Sequence, residues 1–162
     1  MDKMTKTATQ SLPKVTEVEL VYRNKKSASE RPSIRTALDA FDLFVRSWDE
    51  NKIELQEQFR IMLLDQKHSC IGISTIATGG IANCFVDLKI AFGTAVKARA
   101  SALILAHNHP SGNRAPSEDD KKLTTLFQIA GEVLGIGILD HLIITKEGYT
   151  SLSEKNLMQL RK

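Results

Sequence analysis

Residues 102–110, Ala-Leu-Ile-Leu-Ala-His-Asn-His-Pro, constrain this chain more than any other stretch. The apolar run Ala102–Leu105 reads as a buried strand, and His107 and His109 follow at its end. Side chains at i and i+2 of a strand point the same way, so the two imidazoles are presented to one point in space. Pro110-Ser111-Gly112-Asn113 breaks the strand. Ser117 then opens a helix as a good N-cap, and the acids at 118, 119 and 120 favour its N-terminal dipole. Ser117 and Asp120 share a face of the first turn. Taken singly, the histidines suit packing and the Ser117 segment suits capping. Taken together, two imidazoles and a carboxylate converge and leave a fourth position open on a tetrahedral zinc, the pattern of catalytic rather than structural sites.

The chain has 162 residues, enough for one domain with a real core. No apolar run approaches the ~20 residues that span a bilayer. The stretch Met1–Lys14 lacks the apolar segment of a signal peptide, so the expected location is cytoplasmic, with no membrane partner. Cys70 and Cys84 have neither metal-type nor redox-type spacing and read as free buried thiols. The net charge of +3 is unevenly placed. Residues 1–32 hold seven Lys/Arg against four Asp/Glu, and the remainder is balanced. A balanced domain lacks the electrostatic footprint of a general nucleic-acid binder, so nucleic acid is not favoured as a partner.

Residues 1–14 are polar and read as a flexible tail, with the folded domain over residues 15–162. Thr16–Tyr22 reads as a strand and Asn24–Arg31 as a basic loop. A helix is expected from the N-cap Ser33 to about Asn51, with Ile34, Leu38, Phe41, Val45 and Trp48 at helical spacing. Phe41, Phe44 and Trp48 suit packing better than a stacking platform. Glu57–Asp65 and Cys70–Ile76 read as a hairpin around the polar turn that holds His68. Asp87–Arg99 is a helix with Ile90, Ala91, Ala95 and Val96 inward. Ser117–Leu134 is a helix with Leu123, Leu126, Phe127, Ala130 and Val133 apolar. Ile136–Thr145 and Tyr149–Leu152 are strands, and Ser153–Arg161 a closing helix. Mixed strands, hairpins and helices indicate one α/β domain.

The string His107-x-His109, seven residues, Ser117, two residues, Asp120 resembles the JAMM (JAB/MPN) metalloprotease motif. His107-Asn108-His109-Pro110-Ser111-Gly112, Pro116-Ser117 and Leu139-Asp140-His141-Leu142-Ile143-Ile144 resemble the RadC-like branch of that family. Leu55–Asp65, Ala77-Thr78-Gly79-Gly80 and Val86-Asp87 resemble it too, in the manner of RadC-like proteins from mobile elements. The likeness runs over roughly residues 15–160. Leu88-Lys89 stands where the branch usually has Pro-Arg, and Arg99 where Asn is common. Residues 1–54 show nothing like the helix-hairpin-helix region of full-length RadC proteins, which weakens a DNA-binding inference.

The resemblance implies a cytidine-deaminase-like domain, a mixed β-sheet flanked by helices. It implies a zinc-dependent hydrolase acting on a peptide or isopeptide bond of a protein or peptide substrate. His107, His109 and Asp120 would bind Zn²⁺. Glu57 would be the general base, with Glu54 the competing carboxylate, and Ser117 would donate to the oxyanion. His141 reads either as a partner that orients a ligand or as a core histidine. Two other readings stay open: a role in DNA repair or recombination without protease activity, and a metal-stabilised interaction module without turnover.

Overall fold

The computed structural model describes residues 27–159. The strand expected at Thr16–Tyr22 and the tail over residues 1–14 lie outside the described residues. The central element is β3 (Ala102–Asn108), all seven residues of which are buried. It is paired on both edges, antiparallel to β1 (Gln58–Leu64) and parallel to β4 (Gly137–Thr145). β2 (Cys70–Thr78) pairs antiparallel with β1, and β5 (Gly148–Ser151) antiparallel with β4, giving the order β2-β1-β3-β4-β5. The domain is therefore the mixed α/β sheet that the sequence leads one to expect. A parallel neighbour needs a crossover, and α3 (Glu118–Leu134) supplies it between β3 and β4.

Strand alternation divides the interior in two. Phe59, Ile61, Leu63, Leu103 and Leu105 face α2 (Leu88–Lys97) and α3, where Ala91, Phe92, Ala95 and Phe127 meet them. Met62, Leu64, Ile104, Ala106, Leu142 and Ile144 face α1 (Ala37–Ser47), with Ala40, Phe44 and Trp48. Both faces of β1 and β3 are covered, so these strands read as continuous apolar runs.

Several element ends and faces differ from the sequence reading. The first helix starts at Ala37, not after Ser33. Thr36 and Asp39 form a complete capping box, Asp39 N–H to Thr36 Oγ1 at 3.1 Å and Thr36 N–H to Asp39 Oδ2 at 2.9 Å. Ser33 has Thr36 at the equivalent third position and no carboxylate to return the bond. The segment 32–34 instead runs extended beside the 68–70 turn, with Ile34 N–H bonded to the His68 carbonyl and Cys70 N–H to that of Pro32. That helix ends at Ser47, and Leu38 and Val45 are exposed. On α2, Ile90 and Val96 face solvent and Phe92 packs inward. On α3, Leu126 and Val133 are exposed because the buried stripe runs through Asp120, Thr124, Phe127, Gln128 and Gly131. Leu123, Phe127 and Ala130 do pack inward, and polar Asp120, Thr124 and Gln128 extend the same stripe. Residues 152–156 form turns, not the start of a closing helix. Cys70 is buried, whereas Cys84 is only half-buried. Among the described residues no helix is long and apolar enough to cross a membrane.

His141 lies in β4 and is fully buried. Its Nδ1–H donates to Thr124 Oγ1 at 2.7 Å, and that hydroxyl donates to the Asp120 carbonyl at 2.6 Å. The pair ties the first turns of α3 to the sheet. Burial pushes the imidazole down to about 3. In the unfolded chain it titrates near its ordinary value of about 6.5, so the unfolded state binds the proton first. The stability contributed by neutral His141 is complete above that value and falls as the pH drops towards 3. The limiting slope is about tenfold in the folding equilibrium per pH unit. Denaturant unfolding of metal-free protein should show the stability gap between wild type and His141→Gln narrowing as the pH is lowered below 6.5. A gap that is constant with pH would contradict a neutral buried imidazole.

Candidate metal centre

His107 sits one residue before the end of β3 and His109 just beyond it. The backbone of His109 still donates to the Ile144 carbonyl at 3.0 Å, so strand alternation persists through the pair. The two rings consequently share one side, with centroids 5.1 Å apart and planes at 85°. The chain then reverses, Gly112 N–H bonding to the His109 carbonyl, with Gly112 at φ 79°, a region open to glycine. This turn brings the Asn113 carbonyl to 2.7 Å from His109 Nδ1. A carbonyl can only accept, so Nδ1 carries the proton and Nε2 keeps a bare lone pair.

Asp120 arrives from α3. As the third residue after the N-cap it completes a capping box, its Oδ2 accepting from Ser117 N–H and Ser117 Oγ–H, each at 2.7 Å. Its Oδ1 lies 3.0 Å from His107 Nδ1, and Oδ2 lies 3.5 Å from His109 Nε2. Burial acts to raise the Asp120 carboxyl, but the bond from His107, the His109 ring beside it and the bonds from Ser117 hold it well below the usual carboxylate range. The same contact with Asp120 raises His109 against the opposing effect of burial. His107, His109 and Asp120 each offer one ligand atom, and these atoms lie within 4.8 Å of one another.

Glu57 stands immediately before β1. Its N–H bonds to the Gly80 carbonyl and its carbonyl accepts from Gly79 N–H, both at 2.8 Å. A Cβ at Gly79 would collide with the Asn83 backbone, so this bend admits only glycine without a shift. Glu57 Oε2 lies 3.4 Å from His107 Nε2, and that ring nitrogen is buried without a hydrogen-bond partner. The contact is within ion-pair range but lacks hydrogen-bond geometry. With Nδ1 turned to Asp120, Nε2 is the ring atom that faces the Glu57 carboxylate. A ring nitrogen and a carboxylate oxygen that face each other without a hydrogen bond, at the edge of a His–His–Asp group, suit a metal cation held by that group. Glu54, by contrast, is on the surface, paired with Lys146 at 2.9 Å.

These groups line one cavity of about 360 Å³ together with Ser117 and the exposed segment around Ile81 and Cys84. The Cys84 thiol is pushed up by burial. The sequence reading gives residues 81–83 no part in the site. Asn108 is a further residue whose part was not legible. It points away from the two histidines and is fully buried. Its Oδ1 accepts Gln58 N–H at 2.6 Å, and its Nδ2 donates to the Ile53 and Gln56 carbonyls at 2.8 and 2.9 Å. Asn108 thus anchors the segment that delivers Glu57. The one signal for it was a side chain with two donors and an acceptor at the end of a strand buried on both faces.

Residues 34–157 match the RadC-like JAB domain family model. The chain is 38% identical over 128 residues to a UPF0758 protein of Moorella thermoacetica, covering 79% of this chain and 55% of that one. It is 41% identical over 102 residues to UPF0758 protein STH371 of Symbiobacterium thermophilum, covering 63% of this chain and 44% of the relative. A UPF0758 protein of Alkaliphilus metalliredigens is 42% identical over 110 residues, covering 68% and 47% respectively. The chain spans about half the length of these relatives. The family match takes in β1 to β5, the two strand-borne histidines and the helix-borne carboxylate, and the chain belongs to the RadC-like JAB domain family.

Proposed function

We propose that the protein is a zinc-dependent hydrolase that cleaves a peptide or isopeptide bond in a protein or peptide substrate. The observation that carries this reading is the Glu57 carboxylate beside the His107, His109 and Asp120 donors in one cavity. Zinc held by those three residues supplies a Lewis acid that polarises a carbonyl and makes a water acidic near neutral pH.

The protein's own groups divide the remaining work. Glu57 takes the proton of the attacking water as the new C–O bond forms, and returns it to the leaving nitrogen as the C–N bond breaks. Its tether to Gly79 and Gly80 on one side and to the Asn108 anchor on the other keeps the carboxylate at the cavity wall. The Asn113 carbonyl orients His109 with its bare nitrogen inward. Ser117 presents a hydroxyl at the same wall. At rest it donates to Asp120, and turned to the substrate it donates to the oxyanion, an interaction commonly worth a few kcal/mol. The ligand set suits one ion, which fits attack on a planar carbonyl better than two-metal phosphodiester cleavage.

Metal-replete protein should contain about one zinc per chain by elemental analysis, lost in His109→Ala. Zinc at 100 times its Kd should add about 3 kcal/mol to unfolding stability, and that increment should vanish in the same variant. Glu57→Gln should retain zinc yet lose at least about 10²-fold in kcat on a cleavable peptide, and wild-type turnover would exclude it as the base. Ser117→Ala should lower kcat and also cost about 1 kcal/mol of stability through the lost cap. Ser117→Thr, which keeps the hydroxyl, should recover both.

A further inference from the structure

A second group of unsatisfied buried atoms lies on the opposite face of the sheet from the metal centre. Arg60 follows Phe59 in β1 and points to the α1 side. It is nine-tenths buried, at 9% exposure. Its guanidinium lies 4.8 Å from the centroid of the Trp48 ring. Nη1 donates to Ser47 Oγ at 3.1 Å, and the Ser47 proton is committed to the Phe44 carbonyl at 2.8 Å. No carboxylate among the described residues pairs with Arg60. Arg60 Nε and Trp48 Nε1 are both buried without a hydrogen-bond partner. Both atoms are donors only, so both lack an acceptor.

A buried charge without a counter-ion is costly, and stacking on a desolvated indole offsets only part of that cost. Beside the stacked pair is a cavity of about 350 Å³, whose walls include Arg60, Ser47, Leu43, Ile73, Arg31 and Glu30. Arg31 is already neutralised by Asp65 at 3.0 Å. The Glu30 carboxylate is turned to its own cap, accepting from Ser27 N–H and Oγ–H at 2.8 and 2.7 Å. Among the described residues, one uncompensated cation therefore faces a space whose other walls are partly aliphatic. That combination calls for a single negative charge on an apolar body. A dianion such as phosphate would carry one charge too many and leave Leu43 and Ile73 uncovered.

We propose that this cavity binds a small organic carboxylate with a short apolar chain, its carboxylate seated on the Arg60 guanidinium and its chain against Leu43 and Ile73. Hexanoate titrated into the ¹⁵N-labelled full chain should move the Arg60 Nε–H and Trp48 Nε1–H resonances saturably. Acetate and hexanol, which each lack half of the recognised chemistry, should bind at least about tenfold more weakly. Arg60→Met should lose at least about tenfold in hexanoate affinity while binding zinc as wild type does. Should that variant fail to fold, Leu43→Trp keeps the cation and fills the space, and should abolish binding. Absence of a saturable shift, equal binding of hexanol, or undiminished binding by either folded variant would overturn the proposal.

Discussion

A strand paired on both edges and covered on both faces leaves no polar side chain free to reach water. β3 is such a strand; it ends in His107 and Asn108, and His109 follows directly. Each must find a partner inside the protein or carry the cost of desolvation. Asn108 finds the backbone of 53–58, His107 finds Asp120, and His109 finds the Asn113 carbonyl. The arrangement of the centre follows from this. The loop after the strand must fold back, α3 must begin where its third residue meets the imidazoles, and the segment before β1 must close over the strand end.

Asp120 bears two duties that could conflict. As a helix cap it needs its oxygens turned to Ser117, and as a donor towards the histidines it needs them turned to the cavity. The two are compatible because Oδ2 takes both Ser117 bonds while Oδ1 faces His107. The cap therefore fixes the rotamer in which the carboxylate addresses the imidazoles. Thr124 and His141 set the height of the same helix turn from behind. Local helix chemistry and the geometry of the centre are one set of bonds here.

The parts legible in the sequence are those governed by short-range rules. Strand alternation puts His107 and His109 together, and the Ser117 cap puts Asp120 three residues into its helix. The sheet elements follow from apolar runs. What was not legible depends on partners distant in sequence. The first helix does not start after Ser33 because the 32–34 segment pairs with the 68–70 turn. Of the apolar positions of α3, Leu126 and Val133 stay outside because Asp120 and Thr124 share the inward stripe with Leu123, Phe127 and Ala130. Glu54 and Glu57 are equivalent by composition. They separate only because the Gly79–Gly80 bend and Asn108 hold the second, while Lys146 draws the first to the surface. The sequence alone assigns Arg60 no role, because its partner, the Trp48 ring, comes from a helix end 12 residues earlier in the chain.

The centre also divides by chain distance. His107 and Asp120 are 13 positions apart, so the three donors belong to one short stretch of polypeptide. The anchor that brings Glu57 to them joins residues 50 positions apart. Loop closure for the longer separation costs about 1 kcal/mol more in chain entropy, before any sheet pairing is counted. A nascent or partly opened chain can therefore gather its donors locally while the carboxylate opposite them is still remote. The donor set and the carboxylate opposite it thus close over different chain distances, and Glu57 is brought to the donors only by the β1–β3 pairing and the Asn108 anchor.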